Sequence, residues 1–172
     1  MDPIRVDEIL QTVREDHDLV AEQLLVLKEL KSTIAGAEER HLERALELLR
    51  GTSYFFQTKL LPHFDEEEHG MFLLFREYLP KGSTLTYELE AEHEQMRKLC
   101  EQLREELSWL RHTRYRKPPM LAHLQSLCAQ VTGLLAQHAE REERLLECYT
   151  KSGCAEGPRR EHLKRASRSG SE

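Results

Sequence analysis

The sequence predicts an all-α fold, an up-down-up-down four-helix bundle with a kinked or broken second helix. Three observations carry this expectation. Apolar residues recur at helical spacing in four long stretches, and no stretch alternates as a strand would. Glycine and proline number only 8 and 6 in 172 residues, which favours long helices with short links. Apolar side chains make up 39% of the chain, enough for one core and too much for wholesale disorder.

The first helix is expected over residues 3–33. Asp2 can cap it, Pro3 suits its first turn, and Val6, Leu10, Val13, Ala21 and Leu24 form its apolar stripe. Ala35-Gly36 ends it. The second runs over residues 37–78, with interruptions expected at Gly51 and Pro62. Pro62 has no N–H to give the carbonyl of Thr58, so the helix must kink or break there. The run Leu79-Pro80-Lys81-Gly82-Ser83 stops it. The third covers residues 84–115, and Lys117-Pro118-Pro119 closes it. The fourth covers residues 119–150, with Leu124, Leu127, Val131, Leu134, Leu135, Leu145 and Leu146 on one side. Residues 1–150 thus form one bundle domain. Residues 151–172, with few apolar side chains, are expected to be a basic, mobile tail.

Composition excludes several function classes. Acidic residues outnumber basic ones by 31 to 25, for a net charge of −6, which argues against a nucleic-acid binder. The longest apolar run is five residues, Met71–Phe75, so no membrane span is expected. The start, MDPIRVDEIL, lacks a basic-then-apolar signal. Cys100, Cys128, Cys148 and Cys154 form no CxxC pair, which points to reduced thiols in the cytoplasm.

Histidine is the informative residue. There are nine, and each helix carries one among its core positions: His17, His63, His93 and His138. A lone histidine on such a stripe is ordinarily a satisfied core side chain. Four, one per helix, are costly to bury without a shared partner, and a metal ion offers one. Carboxylates sharpen the case. His63–Glu67 and His138–Glu142 are both HxxxE, and residues four apart differ by about 40° around a helix, so each pair shares a face. Glu68 and Glu143, one residue later, swing about 140° away and are expected to face water.

The spacing reveals a duplication. His17 to His63 is 46 residues and His93 to His138 is 45, each followed by a glutamate four residues on. Two similar hairpins facing each other would build a pseudo-twofold site of four histidines and two glutamates. Thiolates are absent from the pattern, so a structural zinc of the cysteine-rich kind is not indicated. Imidazoles with carboxylates suit two first-row ions of the iron or manganese type. Two six-coordinate ions share about twelve positions. The histidines fill four and two bridging glutamates four more. An oxo or hydroxo bridge takes two, which leaves one open position on each ion.

At these residues the chain resembles the hemerythrin-like, or HHE cation-binding, family. The likeness covers roughly residues 10–150 and rests on REDHDLV around His17, LLPHFDEEEHGMF around His63 and Glu67, EAEHEQMRKL around His93, and LLAQHAEREERLL around His138 and Glu142. It implies a non-haem di-iron centre with an oxo or hydroxo bridge, held by His17, His63, Glu67, His93, His138 and Glu142. A mixed iron–manganese pair is the alternative filling. Oxygen-carrying members bear a further histidine and a final aspartate where this chain has Arg97 and Glu143. The four-His, two-Glu set is more similar to bacterial di-iron proteins linked to nitric oxide stress and repair of iron centres, and to iron- and oxygen-sensing domains.

Two functions follow as expectations. One is a di-iron protein that binds or reacts with oxygen, peroxide or nitric oxide at open iron positions. The other is an iron, oxygen or redox sensor, or an iron-handling module, acting through a redox or signalling partner protein. A structural bundle with fortuitous histidines is the third reading. Among the remaining residues, His69 is expected at the surface, or else beside the site as a proton donor. Cys100 points inward as a small hydrophobe. Tyr54, Phe55, Phe56 and Phe64 read as packing residues.

Overall fold

The computed structural model describes residues 3–34, 39–79, 81–112 and 118–151. Helix α1 spans Pro3–Ile34, α2 Glu39–Phe55, α3 Leu61–His69, α4 Met71–Tyr78, α5 Gly82–His112 and α6 Pro118–Lys151. A π-helical turn, Phe56–Leu60, joins α2 to α3. The described residues contain no strand. From α2 to α4 the chain forms one bent rod, so the architecture is the expected four-rod bundle. Of the expected basic tail, only Lys151 is described, as the last residue of α6.

The bend lies where proline chemistry requires one. Pro62 sits in the first turn of α3, where its missing N–H is least costly. The turn before it widens instead: the Leu61 N–H reaches back five residues to the Phe56 carbonyl. Phe56 and Leu60 stay buried across this widened turn. Gly51, by contrast, does not interrupt α2, which runs through it without a break. A second break falls at Gly70 instead, whose backbone (φ −121°, ψ −83°) ends α3 and lets α4 start afresh.

The core has two apolar clusters. One gathers Val20, Leu27, Leu46, Leu60, Phe64, Met96, Leu103 and Leu135; the other gathers Val13, Met71, Phe75, Leu89, Leu145 and Tyr149. Along α1 and α5 the chain passes from the second cluster to the first. Along the bent rod and α6 it passes from the first to the second. The rods therefore alternate in direction, as an up-down-up-down bundle must. In α1, α5 and α6 the crossing between clusters occurs at the histidine; in the bent rod it falls between Phe64 and Met71, at Glu67, just after His63.

The stripe of α1 differs from the expected one. Ala21 is exposed and Leu24 only half-buried, while Val13, Val20, Leu27 and Leu30 are the buried positions. The side chains of Val6 and Leu10 lie outside the described residues. Val13, Val20 and Leu27 are seven apart, so the buried seam follows a heptad rather than the line through Ala21. His17 then sits at the seam's edge. The α6 stripe is as expected, with Leu134 half-buried and its other members buried.

Candidate metal centre

Between the two apolar clusters lies a polar layer, and it contains all six residues singled out by the spacing. His63, Glu67, His93, His138 and Glu142 are buried, with Glu67, His93 and Glu142 at 0% exposure. His17 is different: its side chain is 21% exposed. All four imidazoles present Nε2 to the two carboxylates. His63 Nε2 lies 2.6 Å and His17 Nε2 3.7 Å from Glu67 Oε1, and His93 Nε2 lies 3.2 Å from Glu67 Oε2. Glu142 Oε2 lies 3.0 Å from His17 Nε2 and 3.5 Å from His138 Nε2. His93 and His138 bring their Nε2 atoms within 3.1 Å of each other.

These distances have a simple reading. Nitrogen ligands sit about 2.1 Å from a first-row ion, so neighbours at right angles are about 3 Å apart. The side chains are spaced as neighbours around a common ion are spaced. Among the described residues two groups bring their ligand atoms within 4.8 Å of one another, His17–His63–Glu67 and Glu67–His93–His138, with Glu67 common to both. Glu142 reaches one histidine of each pair.

Hydrogen bonding gives an independent test of fit. Imidazole nitrogens crowd both oxygens of Glu67, yet neither of them, nor Oε1 of Glu142, has a hydrogen bond of good geometry, and all three are buried. A buried carboxylate oxygen left in this state costs several kcal/mol, roughly, unless a cation meets it. The donor set, imidazole with carboxylate, is one that first-row ions accept. The residues present therefore fit a metal ion.

The same crowding sets the proton affinities. Burial alone would lower the pKa of His17, yet the Glu142 and Glu67 carboxylates outweigh it and raise the value to about 10. His138 is raised to about 9 against its burial by Glu142 and Glu92. His63 is raised as well, chiefly by Glu67 against burial. Glu67 is held well below the usual carboxylate range, because His17, His63 and His93 outweigh its burial.

Two carboxylates escape the expectation from spacing. Glu68 is only partly exposed, at 21%, and turns toward α5. It lies 2.8 Å from His93 Nδ1 and accepts a 3.0 Å hydrogen bond from Arg97. A swing of about 140° from His63 leads to solvent only on an isolated rod; here it points into the seam with α5. Glu92, unremarked in the sequence, lies 3.1 Å from His138 Nδ1 and pairs with Arg141. Both are adjacent in sequence to a member of the cluster, and that adjacency was the available signal. Glu143 is exposed, as expected.

Of the four aromatics expected to pack, Phe56 and Phe64 are buried and Phe55 is half-buried, but Tyr54 is 70% exposed and packs no core; Phe64, with Phe72, packs the site. His93 is sandwiched between Phe64, stacked at 4.0 Å between centroids, and Phe72 at 5.3 Å. Cys100 is buried, and burial pushes its thiol up to about 12, which suits a small hydrophobe. His69 is exposed, 2.6 Å from the Asp65 carbonyl through Nδ1. None of the described helices is long and apolar enough to cross a membrane.

Comparison with known proteins agrees with this geometry. The profile of the hemerythrin HHE cation binding domain matches residues 8–146 and again residues 84–168. Residue 84 stands to residue 8 as His93 stands to His17, so the second match starts where the internal duplication would place it. No curated protein and no solved structure matches the chain. The first match spans most of the sequence and all six clustered residues: the chain belongs to the hemerythrin HHE cation-binding family, whose members bind metal ions, usually iron.

Proposed function

We propose that the protein holds two non-haem iron ions, with an oxo or hydroxo bridge, and binds or reacts with oxygen, peroxide or nitric oxide there. His17 and His63 would serve one ion, His93 and His138 the other, with Glu67 and Glu142 bridging. The observation that carries this reading is Glu67: fully buried, without a well-formed hydrogen bond at either oxygen, and presenting one oxygen to each histidine group. An iron–manganese pair fits the same donors.

Such a centre supplies electrons and open coordination positions to a small ligand. The chain's own residues do the rest. Two carboxylates offset the cationic charge and favour the ferric state. Glu68 and Glu92 accept the Nδ1 protons of His93 and His138, which fixes both rings with Nε2 inward. Phe64 and Phe72 cover His93 and exclude water from that side. On the His17 side a cleft of about 530 Å³ opens between α1 and α6, lined by His17, Asp18, Glu143 and Glu147. A small ligand approaches there, beside the one histidine of the four that is partly exposed.

The test is spectroscopic and chemical. Iron-loaded protein in air should show near-ultraviolet oxo-to-iron bands that His63→Ala abolishes. Peroxide or nitric oxide consumed well beyond one equivalent per site, faster than by free iron, marks an enzyme. A stoichiometric response marks the sensor reading, with a redox or signalling protein as its partner. One observation favours that second reading: the six residues come from all four rods, so iron loss would loosen the whole bundle. No new band and no response to any of the three ligands would end both readings.

A further inference from the structure

Away from the metal centre, a cavity of about 270 Å³ opens between α2 and α5. Its walls are two facing stripes. Arg50, Ser53 and Gln57 follow helical spacing from α2 into the π turn, and Arg104, Ser108 and Arg111 follow it on α5. Three guanidinium groups thus line one cavity, and no carboxylate lines it, although the chain has more acidic than basic side chains. Arg104 pairs with Glu101 on its own helix. Arg50 and Arg111 make no ion pair among the described residues, and Nε of Arg50 is buried without a hydrogen-bond partner. Like charges gathered without a counter-ion repel one another, and a buried unpaired donor adds a desolvation cost. An anion removes both penalties at once.

The shape narrows the anion. Donors stand on both walls, which suits a tetrahedral group offering oxygens in several directions better than a planar carboxylate. The cavity exceeds a bare inorganic ion, and its remaining surface is the buried side chain of Leu107 and the ring of Tyr54. We propose that this cavity binds a small organic phosphate monoester, its phosphoryl group between Arg50 and Arg111 and its organic part against Leu107 and Tyr54. The site is independent of the metal centre and of what that centre does. The simpler alternative is that the arginine stems merely cover the seam.

Calorimetric titration of the full iron-loaded chain with phenyl phosphate, inorganic phosphate and benzoate separates the two. Phenyl phosphate should bind one to one and more tightly than either other probe. Arg50→Gln and Arg111→Gln should each weaken it about tenfold or more, the loss of one charge-assisted hydrogen bond. Arg144→Gln removes the same charge from the exposed face of α6 and should change affinity less than about twofold. Arg111 is exposed, so its variant decides the matter if Arg50→Gln does not fold. No saturable binding, or binding unchanged in Arg111→Gln, overturns the site. Equal weakening by Arg144→Gln reduces it to general electrostatics and overturns it too. Equal affinity for inorganic phosphate overturns the monoester assignment.

Discussion

Glu68 and Glu92 show how much of a metal site lies one residue outside its ligands. Each lies within hydrogen-bonding distance of an imidazole Nδ1, and each is tethered by an arginine, Arg97 or Arg141. Glu92→Gln should weaken iron affinity by about 10- to 100-fold while leaving helicity intact. A competition titration against a chelator measures this, and an unchanged affinity would deny Glu92 its orienting role. Protons give a second prediction at this scale. In metal-free protein the raised pKa values of His17 and His138 contribute stability that is complete below their unfolded value of 6.5. It is lost as pH rises through about 9 to 10. The depressed Glu67 acts at the other end, and its contribution disappears as pH falls below the usual carboxylate range. Metal-free protein should therefore melt at progressively lower temperature from pH 6.5 to 10. Iron binding needs deprotonated imidazoles, so iron should stabilise more as pH rises. A melting temperature of the metal-free protein that stays flat over that range would contradict this. The six clustered residues were legible from one histidine per helix and the repeated HxxxE spacing; Glu68 and Glu92 were not, because a helical wheel drawn on one rod does not show what the next rod presents.

At the scale of elements, proline and glycine must be read by what surrounds them. Pro62 forced a distortion where the sequence said it would, but the strain was taken up one turn earlier, in the π turn at Phe56–Leu60. Gly51 carried no such force: a side-chain carbon added there meets nothing within 4 Å. Gly51→Ala should accordingly stabilise by about 0.5–1 kcal/mol, by reducing the freedom of the unfolded chain. Gly82 is the opposite case. A Cβ on it would lie 1.8 Å from the Phe75 carbonyl oxygen, where α4 crosses the start of α5. Gly82→Ala should cost about 1–3 kcal/mol by forcing these helices apart. Chemical denaturation of both variants checks the pair, and the same sign for both would refute the packing at this corner. Gly70, which breaks the rod after Glu67, was not marked by the sequence reading. Its neighbours are helix formers, and only the meeting of α3 and α4 with the bundle reveals the break. The α1 stripe was misphased for a similar reason, since Ala21 and Leu24 fit a helical period yet Val20 and Leu27 fit the partner rods.

For the molecule as a whole, the polar layer divides one core into two and ties all four rods together at the same level. Fold class, rod number and alternating direction could be read from the sequence because long amphipathic stretches with short links admit few arrangements. The centre could be read because duplication made six residues repeat in register. Metal loading should stabilise by about 4 kcal/mol at a thousandfold excess over the dissociation constant, or about 10 °C in melting temperature for a chain this size. A calorimetric scan with and without iron measures this, and unchanged melting would deny the metal a structural role.

The most direct test is an anaerobic titration of metal-free protein with ferrous iron, comparing the natural chain with Glu67→Ala. Binding that saturates at two irons per chain, and falls to one or none without Glu67, is the expected result. Protein that takes up no iron, or that takes up two irons without Glu67, would contradict the shared-carboxylate centre.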